Sequence, residues 1–159
     1  MAVIELSTVI RAPRERVFDL ARSIDAHQDS AGGTEERAVA GVTKGLIGMD
    51  GEVTWEARHF GVRQRLTVRV TAFDRPRHFQ DVMISGAFKS MVHDHRFAEH
   101  PEGTLMRDRF EFKSPLGLLG RMADGLFLAT YMRRFMVRRN EVLKQLAESG
   151  DWGRYVQHA

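Results

Sequence analysis

The feature that most constrains this chain is an uninterrupted helical pattern from Leu116 to Ser149. Apolar residues stand at Leu119, Met122, Ala123, Leu126, Phe127, Tyr131, Phe135, Val142, Leu143 and Leu146. Steps of three and four residues place such side chains on one face of an α-helix. No proline breaks the run; Pro115 and Gly117 punctuate its start, and Gly150 stands at its end, where helices commonly stop. At about 1.5 Å per residue, some 30 residues make a rod of roughly 45 Å. A helix of that length needs an equally long surface to cover its apolar face. Most of the preceding chain reads as strands. The expectation is an α+β fold in which a curved antiparallel sheet of about seven strands wraps around one C-terminal helix. The space between them is where function is sought.

The strands follow from alternation. Val3 to Arg11 places Ile4, Leu6, Thr8 and Ile10 on one face. Pro13 suits the first position of a short helix carrying Val17, Phe18, Leu20 and Ala21. Ile24 to Gly33 reads as a second short helix or a loop, closed by Gly32 and Gly33. Further strands are expected at Glu35–Ala40, Glu52–Phe60, Val62–Phe73, His78–Ile84, Phe88–Ala98 and Thr104–Lys113. The glycine-rich stretch Gly41–Gly51 reads as a loop at the cavity rim, and Gly61, Asp74–Arg77, Ser85-Gly86 and His100–Gly103 as turns.

Composition narrows the function classes. The 159 residues fit one domain, 1–159, on length alone. There is no cysteine, which excludes disulfides and thiolate sites and points to a reducing compartment. Met1–Glu5 lacks the pattern of a signal peptide, and no segment approaches a membrane span. The expected location is cytoplasmic. The net charge of +3 with no recognition motif argues against nucleic acid as a partner. Oligomeric state is left open, a homodimer included. No nucleophile elbow, phosphate-binding loop or dinucleotide fingerprint occurs.

Several local stretches resemble a known family. Ile10-Arg11-Ala12-Pro13-Arg14-Glu15-Arg16-Val17-Phe18 followed by Ile24-Asp25 is similar to the first strand and helix of the START-like SRPBCC superfamily, the helix-grip fold. Gly45-Leu46-Ile47, Val53-Thr54-Trp55, Phe79-Gln80-Asp81, Gly86-Ala87-Phe88, His93-Asp94-His95-Arg96-Phe97 and Ser114-Pro115-Leu116-Gly117 resemble its ligand-binding, polyketide cyclase/dehydrase-like group. The resemblance covers nearly the whole chain. It implies the helix-grip fold and a small hydrophobic ligand (a lipid, isoprenoid or aromatic polyketide). It carries no shared catalytic signature, no cofactor and no metal, and fold alone does not fix activity.

Strand periodicity selects candidate cavity residues. Met106, Asp108, Phe110 and Phe112 share one face of the last strand; Met91, His93, His95 and Phe97 share one face of the strand before it. A hairpin closing at His100–Gly103 sets Phe97 opposite Met106, His95 opposite Asp108 and His93 opposite Phe110. Phe79, Asp81 and Met83 share a face, as do Val53, Trp55, Ala57 and His59, while Leu66, Val68 and Val70 complete an apolar wall. From the helix, Phe127, Tyr131 and Phe135 are expected to face the sheet. The expected ligand contacts are therefore Trp55, His59, Asp81, Met83, Met91, His93, His95, Asp108, Phe110, Phe127 and Tyr131. The polar members must pair with one another, with water or with a ligand. Three readings of them stay open: a structural network, ligand contact, or acid–base catalysis of a cyclase, dehydratase or isomerase type, with His95 moving a proton, Asp108 orienting it and Tyr131 facing an oxyanion. An accessory protein acting through its surface is a further alternative. His93 and His95, two apart on a strand, can bite one metal, with Asp81 or Asp108 as a third ligand. Nothing in the sequence fixes that third ligand, so no metal, cofactor or catalytic residue is assigned. Arg133, Arg134, Arg138 and Arg139 read as a solvated helix face, and Trp152 and Tyr155 as packing residues.

Overall fold

The computed structural model describes residues 1–31, 33–115 and 117–157. Strand β1 (Ala2–Ile10) buries Ala2, Ile4, Leu6 and Ile10. Helix α1 (Arg14–Ala21) starts immediately after Pro13, whose ring fixes the entry dihedral, and buries Val17, Phe18 and Leu20. Helix α2 (Ile24–Ser30) is capped by Ser23, whose Oγ accepts the Ala26 N–H. Six strands follow: β2 (Arg37–Gly41), β3 (Glu52–His59), β4 (Val62–Asp74), β5 (His78–Gly86), β6 (Ser90–His100) and β7 (Gly103–Lys113). They form one seven-stranded sheet in the order β1-β7-β6-β5-β4-β3-β2, every neighbour antiparallel. The sheet is thus a meander from β2 to β7, with β1 laid along β7. It curves around the C-terminal helix as expected of a helix grip.

The β6–β7 ladder runs without a break from Ser90–Lys113 to His100–Gly103. It pairs Phe97 with Met106, His95 with Asp108 and His93 with Phe110. Register irregularities fall elsewhere, between β2 and β3 and between β4 and β5.

The last helix departs from the single rod expected. It comprises α3 (Gly117–Ala123), a π-helical turn at Asp124–Leu128, and α4 (Ala129–Glu148). A π turn adds one residue to a helical turn and so rotates the faces before and after it by about 100°. Apolar spacing counted straight through the break therefore misplaces the early residues. Leu119 and Met122 are 76% and 63% exposed. Leu116, where the rod was expected to begin, lies outside the described residues, as do Gly32 and the facings of Ala123 and Leu126. No helix among the described residues is long and apolar enough to cross a membrane.

The apolar interior falls into two clusters. One gathers Phe18, Phe79, Phe97, Met106, Leu143 and Tyr155 between α1, the sheet and the end of α4. Here Phe18 meets Phe73, Phe79 and Phe97 edge-on, with ring centroids 5.2–5.4 Å apart. Arg16 lies over the Trp152 ring at this end, so Trp152 and Tyr155 pack as expected. The other cluster, with Trp55, Val68, Met91, Phe110 and Met136, surrounds a hollow.

Candidate functional site

A cavity of about 380 Å³ lies between the sheet and α4, at the small end of the range typical of small-molecule pockets. Its walls come from β3 to β6, β7, α2 and α4. Apolar side chains dominate: Trp55, Val68, Met91, Phe110, Met132 and Phe135 among them. At one end Phe60, from the β3–β4 hairpin, meets Tyr131 and Phe127 with ring centroids 4.5 and 5.5 Å apart. Phe60 and Phe127 are 53% and 61% exposed, so this aromatic trio forms a lip open to solvent. Behind it His59 Nδ1 and the Tyr131 hydroxyl share a hydrogen bond of 2.6 Å. Burial holds the His59 imidazole below its ordinary pKa, against the pull of Glu36.

The opposite end is polar, and strand arithmetic places it there. On β5, β6 and β7 the inward residues run Phe79-Asp81, Phe97-His95-His93-Met91 and Met106-Asp108-Phe110. Phe79, Phe97 and Met106 belong to the packed cluster, and Met91 and Phe110 to the hollow one. Asp81, His93, His95 and Asp108 therefore form one layer between them, the floor of the hollow. Helix α4 repeats the sequence of layers with Leu143, then Asn140 and Arg139, then Met136.

The floor is tightly bonded. His93 donates from Nε2 to Asp108 at 3.0 Å. His95 reaches Asp108 through Nδ1 at 3.1 Å and Asp81 through Nε2 at 3.0 Å. Asn140 donates its amide to the other Asp108 oxygen at 2.6 Å. The two imidazoles lie 3.7 Å apart, His95 stacks on Phe79 at 4.2 Å, and His93 meets the edge of Phe110. Their protonation states diverge. Burial, then repulsion from His95, pushes His93 down to about 4 despite Asp108, so it is neutral at pH 7. Burial also opposes charge on His95, but hydrogen bonds to Asp108 and Asp81 outweigh it and raise that imidazole. Burial would raise the Asp108 carboxyl; its bonds to both histidines hold it well below the usual carboxylate range.

Of the residues expected at the site, Trp55, His59, Asp81 and Met91 line the cavity. So do His93, His95, Phe110, Phe127 and Tyr131. Asp108 does not line it: it stands behind the two histidines, toward the packed cluster. Met83 does not line it either. The β5–β6 ladder ends at Val82–Val92, and Met83 packs against the hollow cluster without bordering the cavity. Arg139 is also corrected. Arg133, Arg134 and Arg138 are exposed, whereas Arg139 faces the cavity, one turn from Phe135 and Met136 on the inner face of α4.

His27 and Glu36 went unrecognised in the sequence, yet both line the cavity. They form a hydrogen-bonded contact, with side chains 17% and 9% exposed, and His27 stacks on Trp55 at 4.0 Å. The spacing of Ile24 and His27, both cavity-lining, is the helical i,i+3 signal that marks His27. Glu36 precedes β2 and carries no periodic signal.

The seven-stranded antiparallel sheet curved around a long C-terminal helix is the helix-grip fold of START-like SRPBCC proteins. The chain belongs to the polyketide cyclase / dehydrase and lipid transport family, whose model matches residues 1–148. No curated protein matches it. Among solved structures it is similar to a protein of Thermus thermophilus, at 18% identity over 92% of this chain and 99% of that one, TM-score 0.75. A START superfamily protein from Mycobacterium smegmatis is 11% identical over 91% and 98% of the two chains, TM-score 0.70. Major latex-like protein 151 of Panax ginseng is 13% identical over 93% and 98%, TM-score 0.69.

Proposed function

We propose that the protein binds a small, mainly hydrophobic molecule in the cavity between sheet and α4. The observation that carries this reading is the make-up of the lining: mainly apolar walls and an aromatic lip, with Asp81, His93, His95 and Arg139 gathered at the floor. A ligand with an apolar body and one polar end matches that arrangement. Trp55, Met91, Phe110 and Tyr131 contact the body. His93, His95 and Asp81, joined by His27, Glu36 and Arg139, orient the polar end, and Phe60 and Phe127 border the way in. The family's description, which includes lipid transport, supports the same reading.

The test uses the fluorescent probe 1-anilinonaphthalene-8-sulfonate. Saturable binding to the native protein is expected, with energy transfer from Trp55. Ala57 lines the cavity, so Ala57→Phe plugs it and should weaken the probe at least tenfold while circular dichroism stays native. Probe binding unchanged in the folded plugged variant overturns the cavity as the binding site.

A further inference from the structure

We infer that the cavity floor is a site for one divalent transition-metal ion, with Asp81, His93 and His95 as its protein ligands. Each offers a donor atom, and all three donors lie within 4.8 Å of one another. Donors around one tetrahedral ion at about 2.1 Å stand roughly 3.4 Å apart. Movements below an ångström by each donor therefore close the set. Two imidazoles and one carboxylate are a donor set suited to zinc, cobalt(II) or iron(II).

Three observations lift this above a chance grouping. The first is the strand geometry. His93 and His95 are two apart on β6 and share a face, and Asp81 is the direct cross-strand partner of His93 on β5. All three backbones are held by sheet hydrogen bonds, so little ordering remains to be done on binding.

The second is which nitrogens are already taken. Asp108 accepts from Nε2 of His93 and from Nδ1 of His95. For His93 this leaves Nδ1 with its lone pair, and that atom has no hydrogen-bond partner among the described residues. His95 Nε2 is directed at Asp81. A metal at this point replaces the proton between His95 Nε2 and Asp81, and the proton leaves to solvent. Asp108 then holds both imidazoles from behind through their remaining N–H groups, and Asn140 holds Asp108. A carboxylate behind a ligating histidine orients the ring and raises its basicity. Here one carboxylate serves two rings.

The third is charge and access. Asp81 and Asp108 bring two carboxylates to this end, with Arg139 acting electrostatically on Asp81. Once the metal has displaced the His95 proton, these two carboxylates outnumber Arg139, and the charge left over suits a cation. Asp81, His93 and His95 all border the cavity, which gives the ion an entry path and leaves coordination positions open to water or a ligand.

The experiment is a titration of chelator-treated, tag-free protein with Co²⁺, read by visible absorption, and with Zn²⁺, read by calorimetry. Saturation near one equivalent is expected, with cobalt bands stronger than those of the aqueous ion. Asp81→Asn and His93→Gln should each weaken binding at least tenfold, and Asn140→Leu, which removes the support of Asp108, about tenfold or more. His100→Ala, on the surface, should change nothing. A wild-type cobalt spectrum that remains that of the aqueous ion overturns the proposal whatever the variants do. So does affinity unchanged in folded Asp81→Asn and His93→Gln. The inference stands apart from hydrophobic-ligand binding: the probe titration with the plugged variant can succeed where the metal titration fails, and the reverse.

Discussion

Asp19 shows how much one buried charge can carry in this fold. Its side chain on α1 is 9% exposed and accepts hydrogen bonds from Arg22 at 2.9 Å and from Arg75 at 2.7 and 3.0 Å. Arg75 lies in the turn before β5, so this bond joins helix to sheet across 56 residues. Burial raises the Asp19 carboxyl, but the bonds to Arg75 and Arg22 outweigh it and hold the group below its ordinary pKa. The sign of the pH effect follows. As pH falls, the unfolded chain takes up this proton first. The stabilisation is therefore complete above about pH 5 and is lost as pH drops through about 4 and below. Asp19→Ala leaves the largely buried Arg22 without its carboxylate partner and should destabilise by about 3 kcal/mol. Urea unfolding at pH 7 and at pH 3 checks this: the difference between wild type and variant should shrink markedly at the lower pH. A difference independent of pH would show that lost packing, not the ion pairs, is the cause.

At the scale of elements, legibility follows the length and regularity of the pattern. β6 and β7 alternate without a bulge, so the sequence places His95 opposite Asp108 and His93 opposite Phe110, and the ladder has those pairs. The histidine–aspartate floor was readable for that reason. Met83 packs against the hollow cluster, as its alternation implies, but does not border the cavity, because alternation gives a facing and not a distance from the hollow. His27 and Glu36 escaped because a seven-residue helix and a loop end offer too few repeats for a period. The break in the last helix escaped because a π turn preserves helical composition and changes only the count. Gly125 sits inside that turn, has an ordinary φ, and would place a Cβ in open space. Gly125→Ala thus meets no clash and removes backbone freedom from the unfolded chain. It should stabilise by about 0.5–1 kcal/mol, seen as a higher urea midpoint and slower amide exchange in 117–128. A lower midpoint would mean that this turn needs the freedom of glycine.

The whole molecule divides into a solid half and a hollow half, with the polar floor as the wall between them. The division is not visible in composition, since both halves are built from the same aromatic and aliphatic residues. It arises because α1 fills the sheet at one end, while at the other only α4, α2 and the lip stand over it. Close-packed interiors charge a cavity term for each large-to-small change, whereas a residue already bordering empty space has fewer contacts to lose. Phe18 and Phe110 make the comparison, at 0% and 5% exposed. Phe18 is enclosed by three rings in the solid half. Phe110 borders the cavity. Phe18→Ala should cost about 3–5 kcal/mol, and Phe110→Ala clearly less, by more than about 1 kcal/mol. Phe110→Ala should also alter binding of the anilinonaphthalene probe, which Phe18→Ala should leave unchanged as long as the protein is folded. Equal destabilisation by the two substitutions would mean that the hollow half is filled and packed in solution. The cavity would then be absent from the working molecule, and the search for function would move from the floor and lip to the outer surface.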